Sequence, residues 1–310
     1  MQWKQGLPFV GNPAVQKFQL QGVAVSRFQE FCPQVDAAKG STYSNSIARR
    51  RVASAKAVLS ELVLRPRWAW HRWRGEREHV FHARNAGDRA RMAEYEALAK
   101  PLDEAIAHIT GATIAAVRRA VESAPRPTGG EHRAIPPWHD GTVELAAAVY
   151  ALVRLRHPRE VVETGVARGV TSAAILQGLH ENGAGSLHSL DLPGLGAGYR
   201  DQVGTAVPAA LREGWDLHFG PSAVKLGGIL RAAAPVDVFI HDSAHTYRNM
   251  RWEFEQAARH LAPGGLIVSD DVCNDSLLDF VDEHGWDLVT VRQSKPAPWT
   301  YIGLARPPQS

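Results

Sequence analysis

Cysteine and methionine are scarce in this 310-residue chain, at two and three residues. Two cysteines, Cys32 and Cys273, cannot build a disulfide framework, and no C-x-x-C or Cys/His cluster suggests zinc. Long apolar runs are missing too: stretches such as Ala146–Val153 are far too short to span a bilayer. The opening MQWKQGLPFVGNP has neither an apolar core region nor a small-residue cleavage site, so no secretion signal is expected and the cytoplasm is the default location. Core-forming residues, by contrast, are plentiful. Hydrophobic residues make up 45% and charged residues 22%, which excludes wholesale disorder and suits one large domain or two modest ones.

The net charge of +3 is unevenly spread. Between Arg49 and Arg91 there are 12 Lys/Arg against 4 Asp/Glu, so the remainder of the chain is net acidic. A uniformly basic nucleic-acid binder would not look like this. Within the basic part, Trp68, Trp70 and Trp73 have three open roles: packing or oligomer contact, acceptor binding, or a membrane surface. Pro66 is expected to break any long helix there. The first 45 residues show no clear period. The proline- and glycine-rich segment Ala124–Pro137 reads as a boundary, dividing a mainly helical extension (1–134) from a second domain (135–310).

Before the boundary, apolar residues recur at helical spacing through Ala93–Leu98 and Ile106–Val121. After it, helices alternate with short apolar strands. The pattern predicts a helix over 142–155, a strand over 160–163, a helix over 171–179 and strands over 186–190, 216–219 and 236–240. A helix over 248–261, ended by Pro263-Gly264-Gly265, leads to a strand over 266–269. Strands 286–292 and 301–304 are joined too tightly for a helical crossover and should pair antiparallel. The fold class is α/β: a doubly wound, mostly parallel, seven-stranded sheet whose ligands bind at the carboxyl ends of the strands.

The first strand ends in Glu163-Thr-Gly165-Val166-Ala-Arg168-Gly169-Val-Thr171-Ser172. Glycines let the backbone turn sharply against a ligand. Glu163 and Arg168 stand where a dinucleotide fingerprint has glycine, and an acid there repels a pyrophosphate but suits a zwitterion with a positive centre. Asp191, ending the second strand, is placed to accept hydrogen bonds from a ribose diol. On Glu163, Gly165, Gly169, Asp191 and Pro263-Gly264-Gly265, together with the closing antiparallel pair, the stretch from about Ile135 to Arg306 resembles the class I S-adenosylmethionine-dependent methyltransferases. The resemblance implies a Rossmann-like methyltransferase fold. It implies S-adenosylmethionine as cofactor, with Glu163, Gly165, Val166, Gly169, Thr171, Ser172, Asp191, Ser222 and Asp242 as its contacts.

His241-Asp242-Ser-Ala-His245 follows the fourth strand and Asp270-Asp271 the fifth. With the usual strand order these ends are neighbours, and three converging carboxylates need a cation or protons. A hard divalent ion, Mg²⁺ first, suits Asp242, Asp270 and Asp271. His245 titrates near neutrality and can serve as a general base. His241 is expected behind the site, and Tyr247 to pack. The plainer readings are Asp270 as a helix cap, Asp271 as a solvated charge and His245 as a packed histidine. The constellation is similar to metal-dependent O-methyltransferases, nearest to the macrocin- and mycinamicin-type sugar enzymes, a wider family that includes proteins labelled cephalosporin hydroxylases. There an acidic pair, commonly Glu-Asp and in catechol-type relatives Asp-Asn, completes the metal site; this chain has Asp-Asp.

The function expected is Mg²⁺-dependent methyl transfer to a sugar hydroxyl of a glycoside, glycolipid or natural product, by a homo-oligomer. A metal would chelate two vicinal oxygens, His245 would take the proton, and a water-poor site would favour loss of the sulfonium charge. The alternatives are a catechol or phenol O-methyltransferase, or a non-catalytic polyanion binder engaging its partner through Arg49–Arg91.

Overall fold

The computed structural model describes residues 60–82, 91–126, 135, 139–195, 198–295 and 301–308, all within the unit Arg50–Ser310. The first 45 residues and most of the 124–137 segment lie outside the described residues. Seven strands, β1 (Glu160–Thr164), β2 (Ser186–Asp191), β3 (Trp215–Phe219), β4 (Val236–His241), β5 (Leu261–Ser269), β6 (Asp287–Arg292) and β7 (Tyr301–Arg306), form one sheet. Its order is β3-β2-β1-β4-β5-β7-β6. The first five are parallel, and β7 runs antiparallel to both β5 and β6. The reversal at β1 opens the crevice expected of such a sheet at its carboxyl edge.

Strand alternation sorts the core into two layers. Val161, Leu187, Val238, Ile240, Leu266 and Val268 pack with helices α3 (Leu102–Thr110), α4 (Ile114–Glu122), α5 (Val143–Arg156) and α6 (Val170–Asn182). Val162, Leu190, Phe239 and Ile267 face α8 (Ser222–Ala233), α9 (Tyr247–Ala258) and α10 (Ser276–His284), with Tyr95 of α2 (Met92–Ala97). Central parallel strands are covered on both faces, which is why Val238–Ile240 of β4 and Leu266–Val268 of β5 read as unbroken apolar runs. A short helix, α7 (Tyr199–Gln202), follows β2.

The structure departs from the sequence reading in a few places. Pro66 interrupts the helical run as expected, since 60–64 are helical and Arg65 is not, but it also heads a new helix, α1 (Pro66–His82), where its missing N–H costs nothing. Helix α9 ends at Ala258, and Pro263-Gly264-Gly265 lies inside β5, where the pairing with β4 shifts register between Val236 and Val238. The helical pattern 106–121 is split at Gly111, which caps α3 at φ 74°. Helices α8 and α10 were not read from the sequence, since Gly227-Gly228 interrupts the first and the second spans only nine residues.

Helix α2 is tied to the loop beyond β5. The buried Tyr95 hydroxyl donates to the Asn274 carbonyl (2.9 Å) and accepts from the Leu278 amide (3.3 Å). Replacing Tyr95→Phe leaves both groups without that partner, so a loss of about 1–2 kcal/mol is expected in denaturant unfolding. An unchanged midpoint would show that this tie contributes nothing.

Candidate active site

The turn after β1 is shaped by close approach. Gly165 has φ 83°, and a Cβ built on it would lie 1.8 Å from the Asp242 carbonyl oxygen. No side chain fits there, so β1 and β4 can meet only through glycine. Gly169, at φ 86°, starts α6. Asp191 locks the turn from β2: its Oδ2 accepts the amides of Val166 (2.9 Å) and Ala167 (3.1 Å), while Oδ1 takes part in neither bond. Burial pushes the Asp191 pKa up, against the pull of those two amides. Such a turn leaves bare backbone facing the crevice and one acidic oxygen beside it, which fits a nucleoside ligand.

Glu163 points away from the crevice. It is fully buried on the α6 side of β1, where Oε2 accepts from Ser172 (2.6 Å) and Ser189 (2.7 Å), and Oε1 has no partner. Strand alternation places it beneath the turn, so Glu163 and Ser172 support the turn from behind. Burial raises its pKa to about 7. Thr171 is likewise buried at the start of α6, its Oγ1 unpaired. Ser222, opening α8, lies against Glu253 instead of the β1 turn.

At the ends of β4 and β5, His241, Asp242, His245, Asp270 and Asp271 come together as the strand order requires. His245 Nε2 is 3.7 Å from Asp242 Oδ1 and 3.8 Å from Asp271 Oδ2, and its buried Nδ1 has no partner. Burial works against a charged ring, yet Asp242 and then Asp271 hold the His245 pKa above its ordinary value. Asp242 is pushed up to about 8 by burial and then by Asp270. Asp271, at φ 44°, is pushed up by the same two causes. Asp270 is fully buried and caps no helix; its Oδ1 is unpaired. His241 stands behind, as expected, its ring edge-on to His245 at 5.3 Å. Tyr247 packs and donates to Asp279 (2.7 Å).

Three participants were not read from the sequence. Lys295, in the β6–β7 turn, places Nζ 2.9 Å from Asp270 Oδ2 and 2.8–2.9 Å from both oxygens of Asp271. Gln293 donates to Asp271 Oδ1 (2.8 Å). Glu253 accepts from His241 Nδ1 (2.7 Å), Thr164 (2.6 Å), Ser243 (2.9 Å) and Asn249 (3.2 Å). A signal existed for Glu253, a charge among the apolar positions Met250, Phe254 and Ala257 of α9; a lysine in a loop between distant strands offers none. Helix α1 crosses the same rim. Arg72 donates to the Pro193 carbonyl after β2 (2.9 Å), Trp68 is the nearest side-chain ring to Gly220 after β3, and Glu78 accepts from Thr246 after β4 (3.2 Å). Trp70 and Trp73 stay about half exposed beneath Arg74 and Arg77.

Donor chemistry allows two groups here. A hard divalent ion fits three carboxylates of which one oxygen, Asp270 Oδ1, has no partner, while burial and the neighbouring Asp270 raise the pKa of the other two, a rise that added positive charge would relieve. Lys295 meets part of that need, so an ion would have to displace its ammonium. Asp242, Asp270 and Asp271 do not bring three ligand atoms within 4.8 Å of one another among the described residues. The glycine turn and Asp191 fit S-adenosylmethionine.

Glu163 is expected to make stability depend on pH. A free glutamate ionises near 4.5, whereas the folded chain holds this proton to about 7. Between those values unfolding releases a proton, so stability falls as pH rises, by on the order of 3 kcal/mol, and levels off above about 7. The variant Glu163→Gln should flatten this slope in unfolding measured from pH 4.5 to 8. An unchanged slope would place the titration elsewhere.

Residues 162–272 match a family model described as a methyltransferase domain. No curated protein matches the chain. Similar solved structures include the O-methyltransferase from Bacillus cereus in complex with SAH (15% identity, 69% of this chain and 100% of that one, TM-score 0.47). Another is the O-methyltransferase TomG from Streptomyces achromogenes, involved in tomaymycin synthesis, in complex with SAM (17%, 72% and 96%, 0.46). A third is the SAH-bound methyltransferase from Podospora anserina (14%, 63% and 88%, 0.46). At these values none bears on acceptor or metal. The stretch of this chain that is similar to a methyltransferase domain thus runs from β1 to the carboxylates beyond β5.

Proposed function

We propose that this chain moves the methyl group of S-adenosylmethionine to a hydroxyl oxygen, with His245 as general base. The observation that carries the reading is His245 itself, held between Asp242 and Asp271 at the end of the strand whose carbonyl touches the cofactor turn. Gly165, Val166 and Gly169 offer backbone to the cofactor, and Asp191 Oδ1 accepts from its ribose. An acceptor hydroxyl beside His245 gives up its proton as the oxygen attacks the methyl carbon, while the carbon–sulfur bond breaks and the sulfonium becomes a neutral thioether. Asp271, joined by Asp242 once that group is ionised, stabilises the imidazolium so formed. Burial around His241 and Asp270 keeps water from the developing oxyanion.

A sugar-type vicinal diol is the acceptor class we favour, because an alkyl hydroxyl is a weak acid and needs a dedicated base, whereas a catechol needs less help. Asp242, Asp270 and Asp271 would hold Mg²⁺, which when bound would polarise the acceptor oxygens and lower their pKa. A homo-oligomer and the 1–134/135–310 division remain part of this reading as expectations from the sequence. Trp70 and Trp73 stay open to acceptor or membrane roles.

The test is methyl transfer from labelled S-adenosylmethionine to sugar diols and to catechols, with S-adenosylhomocysteine titrated in parallel. His245→Ala is expected to lower turnover roughly 100- to 10,000-fold while leaving S-adenosylhomocysteine affinity within a few-fold. Full activity in that variant would remove the histidine from the mechanism. For the ion, Lys295→Met is expected to bind Mg²⁺ several-fold more tightly than the parent, since the competing ammonium is gone. Turnover unaffected by EDTA in both proteins would rule the ion out.

A further inference from the structure

A second cluster of metal-type ligands lies on β2 and β3, away from the β4 and β5 ends that carry His245. The parallel register pairs His188 with Asp216 and Leu190 with His218. Residues two apart on a strand share a face, so Asp216 and His218 stand side by side with His188 opposite. The distances follow: His218 Nε2 is 2.8 Å and His188 Nδ1 3.6 Å from the same oxygen, Asp216 Oδ2. One ligand atom from each of the three falls within 4.8 Å of the other two.

On the far side of the His188 ring, Nε2 is 2.9 Å from Glu160 Oε2 on β1. A carboxylate there accepts a hydrogen bond from Nε2–H, which keeps the proton on Nε2 and leaves Nδ1, the nitrogen facing Asp216 and His218, as the unprotonated metal-donor atom. This is the support that metal-binding histidines use: it fixes both tautomer and ring angle. Among the described residues neither Glu160 nor Asp216 pairs with Lys or Arg. The other comparable group, Glu255, Glu283 and His284, differs on that point, because Arg251 already binds both of its glutamates.

From this arrangement we infer that His188, Asp216 and His218 bind a zinc-type divalent ion, with Glu160 orienting His188. Two imidazoles and a carboxylate select a borderline transition metal over Mg²⁺ or Ca²⁺. The group is partly solvent-exposed, so a water completes a tetrahedron. The ion would bridge the edge strand β3 to β2, and pinning an edge strand protects a sheet from unwanted pairing. The site is independent of the methyl-transfer reading.

The experiment uses the full chain dialysed against chelator and then titrated with Zn²⁺, followed by calorimetry and thermal melting. Co²⁺ serves as the spectroscopic probe. The expected result is one saturable site, a higher melting temperature with Zn²⁺, and the intense visible absorption of tetrahedral Co²⁺. His188→Gln, His218→Gln and the more exposed Asp216→Asn should each weaken Zn²⁺ at least tenfold, and Glu160→Gln by roughly tenfold, with metal-free melts unchanged. Any variant whose metal-free melt collapses is set aside, and Asp216→Asn, at 59% side-chain exposure, then decides. Absence of saturable binding, or affinity untouched by these substitutions, would overturn the site.

Discussion

Glu253 reaches from α9 into the seam between β1 and β4, where it is fully buried and accepts hydrogen bonds from Thr164, His241, Ser243 and Asn249. A carboxylate out of water is stable only when several donors converge on it. Burial opposes its charge, but His241 and the hydroxyls outweigh that and keep its pKa below the ordinary range. Burial lowers the pKa of His241 in turn, against the pull of Glu253, to which its Nδ1–H donates. Its ring stands edge-on to His245. One buried acid therefore fixes the ends of two strands, the tautomer of one histidine and the wall against which the second rests.

The same demand for charge balance runs along the whole carboxyl rim of the sheet. Glu163 meets it with a proton and two serine hydroxyls, Asp191 with two turn amides, and Asp270 and Asp271 with Lys295. Asp242 is left with the least and keeps its proton until about pH 8. A rim so short of positive charge suits a cationic cofactor, and it explains why a cation and a base are both sought beside Asp242. Helix α1 adds to this rim Arg72, whose charge offsets a small part of the rise that burial imposes on the Asp191 pKa.

The order of the elements was legible because each is written locally. Thr142 and Thr246 cap α5 and α9 through their hydroxyls, and period-two and unbroken apolar runs mark the strands. The short β6–β7 connection dictated the antiparallel pair. Where local signals conflict, packing won. Gly227-Gly228 sits inside α8 because Leu226, Ile229 and Leu230 bury against the sheet, and a glycine-bearing turn extends β5 through a register shift. Proline at position 66 does both jobs: it follows the end of the helical stretch 60–64 and is preorganised to begin α1.

By itself, the sequence determined the α/β alternation and the glycine turn, and it singled out Asp191, His245 and the three aspartates as candidates, because strand ends in a parallel sheet all open on one edge. Only the tertiary structure decided which charges meet. Lys295 lies 24 residues from Asp271, and His188 lies 28 from Asp216; each pair is joined by strand order and register, not by local spacing. Glu163 reads as a crevice residue in one dimension and turns out to support it from behind, since alternation along β1 settles the face only once both layers of helices are in place.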